Sequence, residues 1–76
     1  MQADHLLDIT NLIRAHKHQP DVARLDGEMR LREDLGFDSF DLAELTVRIE
    51  ERFGVDVFAT GGVRTVAEVR ASLGGR

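Results

Sequence analysis

The chain has 76 residues, of which 42 % are hydrophobic and 32 % charged, and it contains no cysteine. That length accommodates one core, and the lack of thiols excludes a disulfide framework, a cysteine nucleophile and a thiolate-built zinc site. Fourteen acids against ten bases give a formal charge of −4, the wrong sign for nonspecific binding to a phosphate backbone, and no apolar run of about 18 residues is present to span a bilayer.

A disulfide-free domain this small is most economically held by helix-on-helix packing, and 16 of its residues are Leu or Ala. Residues 3–17 place Leu6, Ile9, Leu12, Ile13 and His16 at spacings of three and four, which predicts an amphipathic helix with one apolar stripe. Pro20 stops it, because the residue before proline is driven out of the α region. The acidic, interrupted start, MQADHLLDITNL, is unlike a secretory signal and leads us to expect a cytoplasmic protein. His5, His16 and His18 read as ordinary helix and loop histidines, since no further ligands stand at matching spacings.

Residues 21–37 show no sustained period. Val22, Leu25, Leu31 and Leu35 stand singly among charges, so a long connection is expected whose apolar side chains dip into the edge of the bundle. A structureless stretch of that length in a compact domain points to function.

Residues 38–53 form the strongest helical pattern. Asp38 is the expected N-cap, accepting from the Asp41 amide, and Phe37 with Leu42 forms a hydrophobic staple. Leu42, Leu45, Ile49 and Phe53 make the core stripe, Gly54 the stop, and Phe40, Ala43 and Val47 a second apolar line on an outer flank. A single helical turn is expected near Phe58–Thr60, followed by turn residues at Gly61–Gly62. The chain closes with a helix over 65–73, capped by Thr65 with Glu68, striped by Val66, Val69 and Leu73, and stopped at Gly74. The fold class is therefore all-α: a small four-helix bundle of three main helices and a short third one, with a long first loop and a single domain over 1–76.

The acid-rich segment around 34–45 is not a calcium loop: Ser39 falls where the sharp-turn glycine belongs and Leu45 where the bidentate acid belongs. No histidine accompanies Ser39 in its helix to form a hydrolytic triad, so no catalytic and no metal-binding residue is assigned. Ser39 would occupy the first helical position after the Asp38 cap. Local physics leaves two readings open there: a site where an attached phosphate would meet free amides and the positive end of the helix dipole, or a tolerated polar residue beside a good cap.

Leu35-Gly36-Phe37-Asp38-Ser39-Phe40-Asp41, followed by Glu44-Leu45 and Ile49-Glu50-Glu51-Arg52-Phe53, resembles the acyl carrier protein family. The resemblance runs from about Leu31 to Phe53 and is supported by the first helix, the long loop and the Thr65-Val66 helix. It implies that Ser39 carries a 4′-phosphopantetheine arm with Asp38 as its motif partner. It further implies that Phe40, Asp41, Glu44, Val47, Glu50 and Glu51 form the face that partner enzymes recognise. From Glu28 to Asp56 there are nine acids against four arginines, a net −5, whereas the remainder of the chain is +1.

Phe40 replaces the family's usual leucine, Phe37 stands where a small residue is common, and Arg48 and Arg52 interrupt the acidic helix. The 58–62 region is short and lacks the family's frequent acids. These departures point away from housekeeping fatty-acid synthesis and toward a specialised pathway of polyketide, nonribosomal-peptide or fatty-acid type. The Asp38-Ser39-Phe40 variant is similar to carriers of amino acids, D-alanine carriers among them. The expected protein is a monomeric, stand-alone, non-catalytic carrier holding acyl or aminoacyl groups as thioesters. Its expected partners are a phosphopantetheinyl transferase, a loading ligase and downstream synthase enzymes, with no nucleic acid and no membrane. The alternative is a small acidic interaction module without a prosthetic group; intact mass after exposure to a transferase separates the two.

Overall fold

The computed structural model describes residues 4–58 and 62–74. It contains three helices in the order α1 (His5–His16), α2 (Ser39–Phe53) and α3 (Val66–Leu73). The short third helix expected near Phe58–Thr60 falls largely outside the described residues; Val57 and Phe58 form a turn.

α1 starts at His5 because Asp4, in extended conformation, accepts from the Leu7 amide at 3.2 Å. It ends at His16, before Pro20, where the amides of Lys17 and His18 bond back to Arg14 and Ala15 and His18 turns to φ 60°. The buried direction of α1 runs through Leu6, Thr10 and Ile13, with Ile9 alongside. At about 100° per residue, Leu12 lies about 110° round from that direction. Leu12 is accordingly 41 % exposed and His16 is exposed too, so both leave the stripe that spacing had assigned to them. Thr10 takes a core place instead.

α2 follows its predicted bounds. Leu45 and Ile49 are fully buried, Leu42 and Phe53 pack against the core from its margin, and Gly54 closes the helix in the left-handed region at φ 71°. α1 and α2 run antiparallel: the His5 and Phe53 rings lie 6.4 Å apart at one end, and Lys17 reaches Asp41 at the other. α3 presents Val66, Val69 and Leu73 to the core.

The long first loop is part of the core. Leu31, Leu35 and Phe37 are each at most 3 % exposed, so Leu31 and Leu35 fill the centre of the bundle where only its edge was expected, and Phe37, expected as a staple, joins them there. Residues 27–31 lie beside the start of α3 in an isolated antiparallel bridge, Arg30 to Thr65. There the carbonyls of Gly27 and Met29 accept from the amides of Ala67 and Val66, two donors that the first turn of α3 cannot satisfy internally. The loop is thereby a cap for one helix and a lead-in to another, which accounts for its length. At the far end of α3, Arg70 pairs with the Asp4 carboxylate at 2.8 Å and ties α3 to the cap of α1.

Candidate functional site

The site centres on the junction between the first loop and α2. Asp38 caps the helix: its Oδ1 accepts from the Asp41 amide at 2.9 Å, and Asp41 Oδ2 accepts in return from the Asp38 amide at 2.9 Å. This reciprocal capping box was half legible, since only the Asp38 side of it was expected. The Asp38 carbonyl also accepts from the Leu42 amide at 2.9 Å. Of the first α2 donors, those of Ser39 and Phe40 therefore remain without a partner among the described residues. They lie at the positive end of a 15-residue helix. Ser39 is exposed, and its hydroxyl makes no hydrogen bond to the described residues.

Three features of α1 and the loop hold Ser39 in place. Arg14 donates from Nη1 to the Leu35 carbonyl at 2.6 Å and from Nε to the Pro20 carbonyl at 2.9 Å, bridging the two ends of the loop. Lys17 Nζ donates to the Gly36 carbonyl and to Asp41 Oδ2, both at 2.6 Å. Gly36, at φ 74°, makes the left-handed turn that redirects the chain into α2. Sequence reasoning missed Arg14 and Lys17. Their positions in and just after the last turn of α1 suit the helix dipole, but nothing local discloses carbonyls about twenty residues away.

Asp41 does not lie on the exposed face to which it was assigned. It is 7 % exposed, with its carboxylate occupied by Lys17 and the Asp38 amide. Burial alone pushes its carboxyl up, but the Lys17 ammonium and then the Asp38 amide outweigh this and hold it below the usual aspartate value. Glu44 is half-buried, pairing with Arg48 Nε at 2.7 Å and His16 Nδ1 at 3.3 Å. The Arg48 guanidinium is the main cause of its lowered pKa. Phe40 is 87 % and Val47 53 % exposed, and Ala43, Glu50 and Glu51 are exposed with them. The outer flank of α2 is thus an apolar line bordered by acids, contiguous with Ser39.

The other hydroxyls are differently placed. Thr10 is buried, Thr46 and Ser72 each donate to the carbonyl four residues before them, and Thr65 holds the α3 cap. Thr60 lies outside the described residues. Among the described residues, no three His, Asp or Glu converge to hold a metal ion, and no helix is long and apolar enough to cross a membrane.

The described residues thus form an all-helical domain with an exposed serine at a tethered helix N-terminus. Residues 7–61 match the phosphopantetheine attachment site family. The chain is also 42 % identical over 38 residues to an acyl carrier protein from Campylobacter hominis. That alignment covers 50 % of this chain and 46 % of the relative, so it spans about half the length of each. No solved structure matches the chain. The chain belongs to the phosphopantetheine attachment site family of acyl carrier proteins, non-catalytic domains whose prosthetic group is 4′-phosphopantetheine. The junction fits such a group: an unbonded hydroxyl stands in the open, and the unpartnered amides of Ser39 and Phe40 are suited to a phosphodiester.

Proposed function

We propose that Ser39 is the residue that carries the prosthetic group and that residues 1–76 act as one carrier domain. What supports this is the exposed, unbonded Ser39 hydroxyl at the start of α2, inside the segment that matches the family. On this reading Ser39 Oγ forms a bond to the phosphorus of coenzyme A that bears the pantetheine. The pyrophosphate bond breaks, adenosine 3′,5′-bisphosphate leaves with the electron pair, and the hydroxyl proton passes to a base on the transferase. Asp38 holds the helix terminus open at that position, and Arg14 and Lys17 keep the preceding loop from moving away. The bound group supplies a terminal thiol that holds an acyl or aminoacyl cargo as a thioester.

Phe40, Val47, Glu44, Glu50 and Glu51 form the partner face, with Asp41 omitted because it is buried. That face suits basic surfaces of a transferase, a loading ligase and downstream synthase enzymes, in brief, electrostatically steered encounters. The cargo belongs to a specialised pathway, amino acids such as D-alanine included, and the protein works as a cytoplasmic monomer.

Incubation with coenzyme A, magnesium and a broad-specificity phosphopantetheinyl transferase tests the assignment by intact mass. One arm is expected on the wild type, mapping to the peptide that contains Ser39, and none on Ser39→Ala, whose stability should change by no more than about 0.5 kcal/mol. An arm on another residue, or a wild type left unmodified by several transferases, refutes the reading.

A further inference from the structure

A cavity of about 470 Å³ lies where the first loop, α2 and the segment before α3 meet, a size ordinary for small-molecule sites. Its apolar walls include Leu31, Leu42 and Val63, and Arg30, Arg32 and Arg64 also line it. Three guanidinium groups thus face one cavity in a chain of charge −4, and how they are occupied is informative. Arg30 is neutralised by Asp34 at 3.3 Å and Glu33 at 3.9 Å. Glu68, the remaining acid of the lining, accepts through Oε1 from the Arg64 and Thr65 amides and the Thr65 hydroxyl, completing the α3 cap. The side chains of Arg32 and Arg64 have no ion-pair or hydrogen-bond partner among the described residues, and both residues are exposed. The cavity therefore has an apolar wall and two cations left unpaired among the described residues.

Its position ties it to Ser39. Leu42 is three residues further along α2, on the same helix face and about 4.5 Å along the axis. Leu42 also borders a second, mostly apolar groove with Ala43, Thr46, Val47, Asp56 and Phe58. A group tethered at Ser39 thus has two places to rest, one mostly apolar with Asp56 as its single charged residue and the other adding two guanidinium groups unpaired among the described residues.

We infer that the cavity lined by Arg32 and Arg64 is a binding site for cargo carrying a free carboxylate, such as the half-thioester of a dicarboxylic acid, held on the arm of the same molecule. This rests on the reading of Ser39 as the attachment residue. Guanidinium groups match a carboxylate in geometry and charge and form the stronger class of hydrogen bond, while the aliphatic walls accommodate the methylenes between carboxylate and thioester. A neutral acyl group of the same length gains nothing from the arginines and is left to the apolar groove.

The test compares three ¹⁵N-labelled forms, made with the transferase from coenzyme A, butyryl-coenzyme A and succinyl-coenzyme A. Intact mass first shows that each arm is in place. In two-dimensional NMR spectra the amides of Leu31, Leu42 and Arg64 should move at least about twofold further in the succinyl form than in the butyryl form, both measured from the free-thiol form. Salt near 1 M, where the Debye length is about 3 Å, should erase most of the difference. The double variant Arg32→Gln, Arg64→Gln should bring the succinyl pattern down to the butyryl one while keeping the melting temperature. Equal shifts for the two cargoes in the wild type overturn the inference and leave the Ser39 assignment standing. Arginine-dependent shifts already present in the free-thiol form, relative to the unmodified chain, also overturn it, because the anion bound is then the phosphodiester of the arm. Failure to gain the arm's mass refutes the Ser39 assignment and this inference with it.

Discussion

Replacing Asp41 by alanine removes an acceptor that joins three segments. Its Oδ2 takes the Asp38 amide at 2.9 Å and Lys17 Nζ at 2.6 Å, in a side chain only about a tenth exposed. The other half of the capping box, Asp38 Oδ1 to the Asp41 amide, uses the backbone and survives. Loss of one cap contact costs about 1 kcal/mol, and loss of a hydrogen bond to a charged partner about 1.5 kcal/mol more. Lys17 keeps the Gly36 carbonyl, which limits the penalty. The sum, about 2–3 kcal/mol, is a large fraction of the roughly 5–10 kcal/mol expected for a chain of this length and corresponds to a fall in Tm of about 10–20 °C. Thermal and urea melts followed by far-ultraviolet circular dichroism measure it.

The pH dependence supplies an internal control. The Asp41 carboxyl titrates lower in the folded chain than in the unfolded one. Its stabilisation is therefore complete above the ordinary aspartate value of about 3.9 and fades as pH falls through the lowered folded value. The gap between wild type and Asp41→Asn should be widest near neutrality and narrow below about pH 4. A loss under about 0.5 kcal/mol for Asp41→Ala, or a gap to Asp41→Asn that persists unchanged in acid, would refute the clamp.

Leu45→Ala and Ile49→Ala, at side chains 1 % and 0 % exposed, should each cost about 2–5 kcal/mol in urea denaturation; unchanged midpoints would contradict the packing of α2. Gly36→Ala meets no atom within 4 Å but must hold φ 74°, so a loss of about 1–2 kcal/mol from backbone strain alone is expected, and a neutral result in the same melts would mean that the turn relaxes freely. Glu50→Lys and Glu44→Lys should both slow arm transfer at low ionic strength, with the effect shrinking in salt, and rates equal to wild type would place docking elsewhere. Glu50→Lys is the cleaner variant, because Glu44 also holds Arg48 and His16, at a stability cost of up to about 1 kcal/mol.

Features governed by neighbours in sequence were legible without coordinates. Asp38, Thr65, Gly54 and Gly74 cap their helices as expected, because an N-cap acts within three residues and a left-handed glycine stop depends only on its own backbone. The stripes Leu45–Ile49 and Val66–Val69–Leu73 followed from the 3.6-residue period, and the outward Phe40–Val47 line from the same geometry. The Asp38-Ser39 motif was likewise local, and so the exposed serine at a helix start could be named in advance.

Tertiary structure decided what depends on residues far apart in the chain. Leu31, Leu35 and Phe37 carry no period, so only the space between three packed helices shows that they fill the core. The burial of Asp41 depends on Lys17, 24 residues earlier, and the anchoring of the Ser39 loop on Arg14, 21 residues before Leu35. That Arg32 and Arg64 have no partner among the described residues appears only once Asp34, Glu33 and Glu68 are seen to be occupied elsewhere. Leu12 and His16 left the core for a related reason: a 3.6-residue repeat defines a stripe to within a flank, and the neighbouring helix selects which part of that stripe it covers.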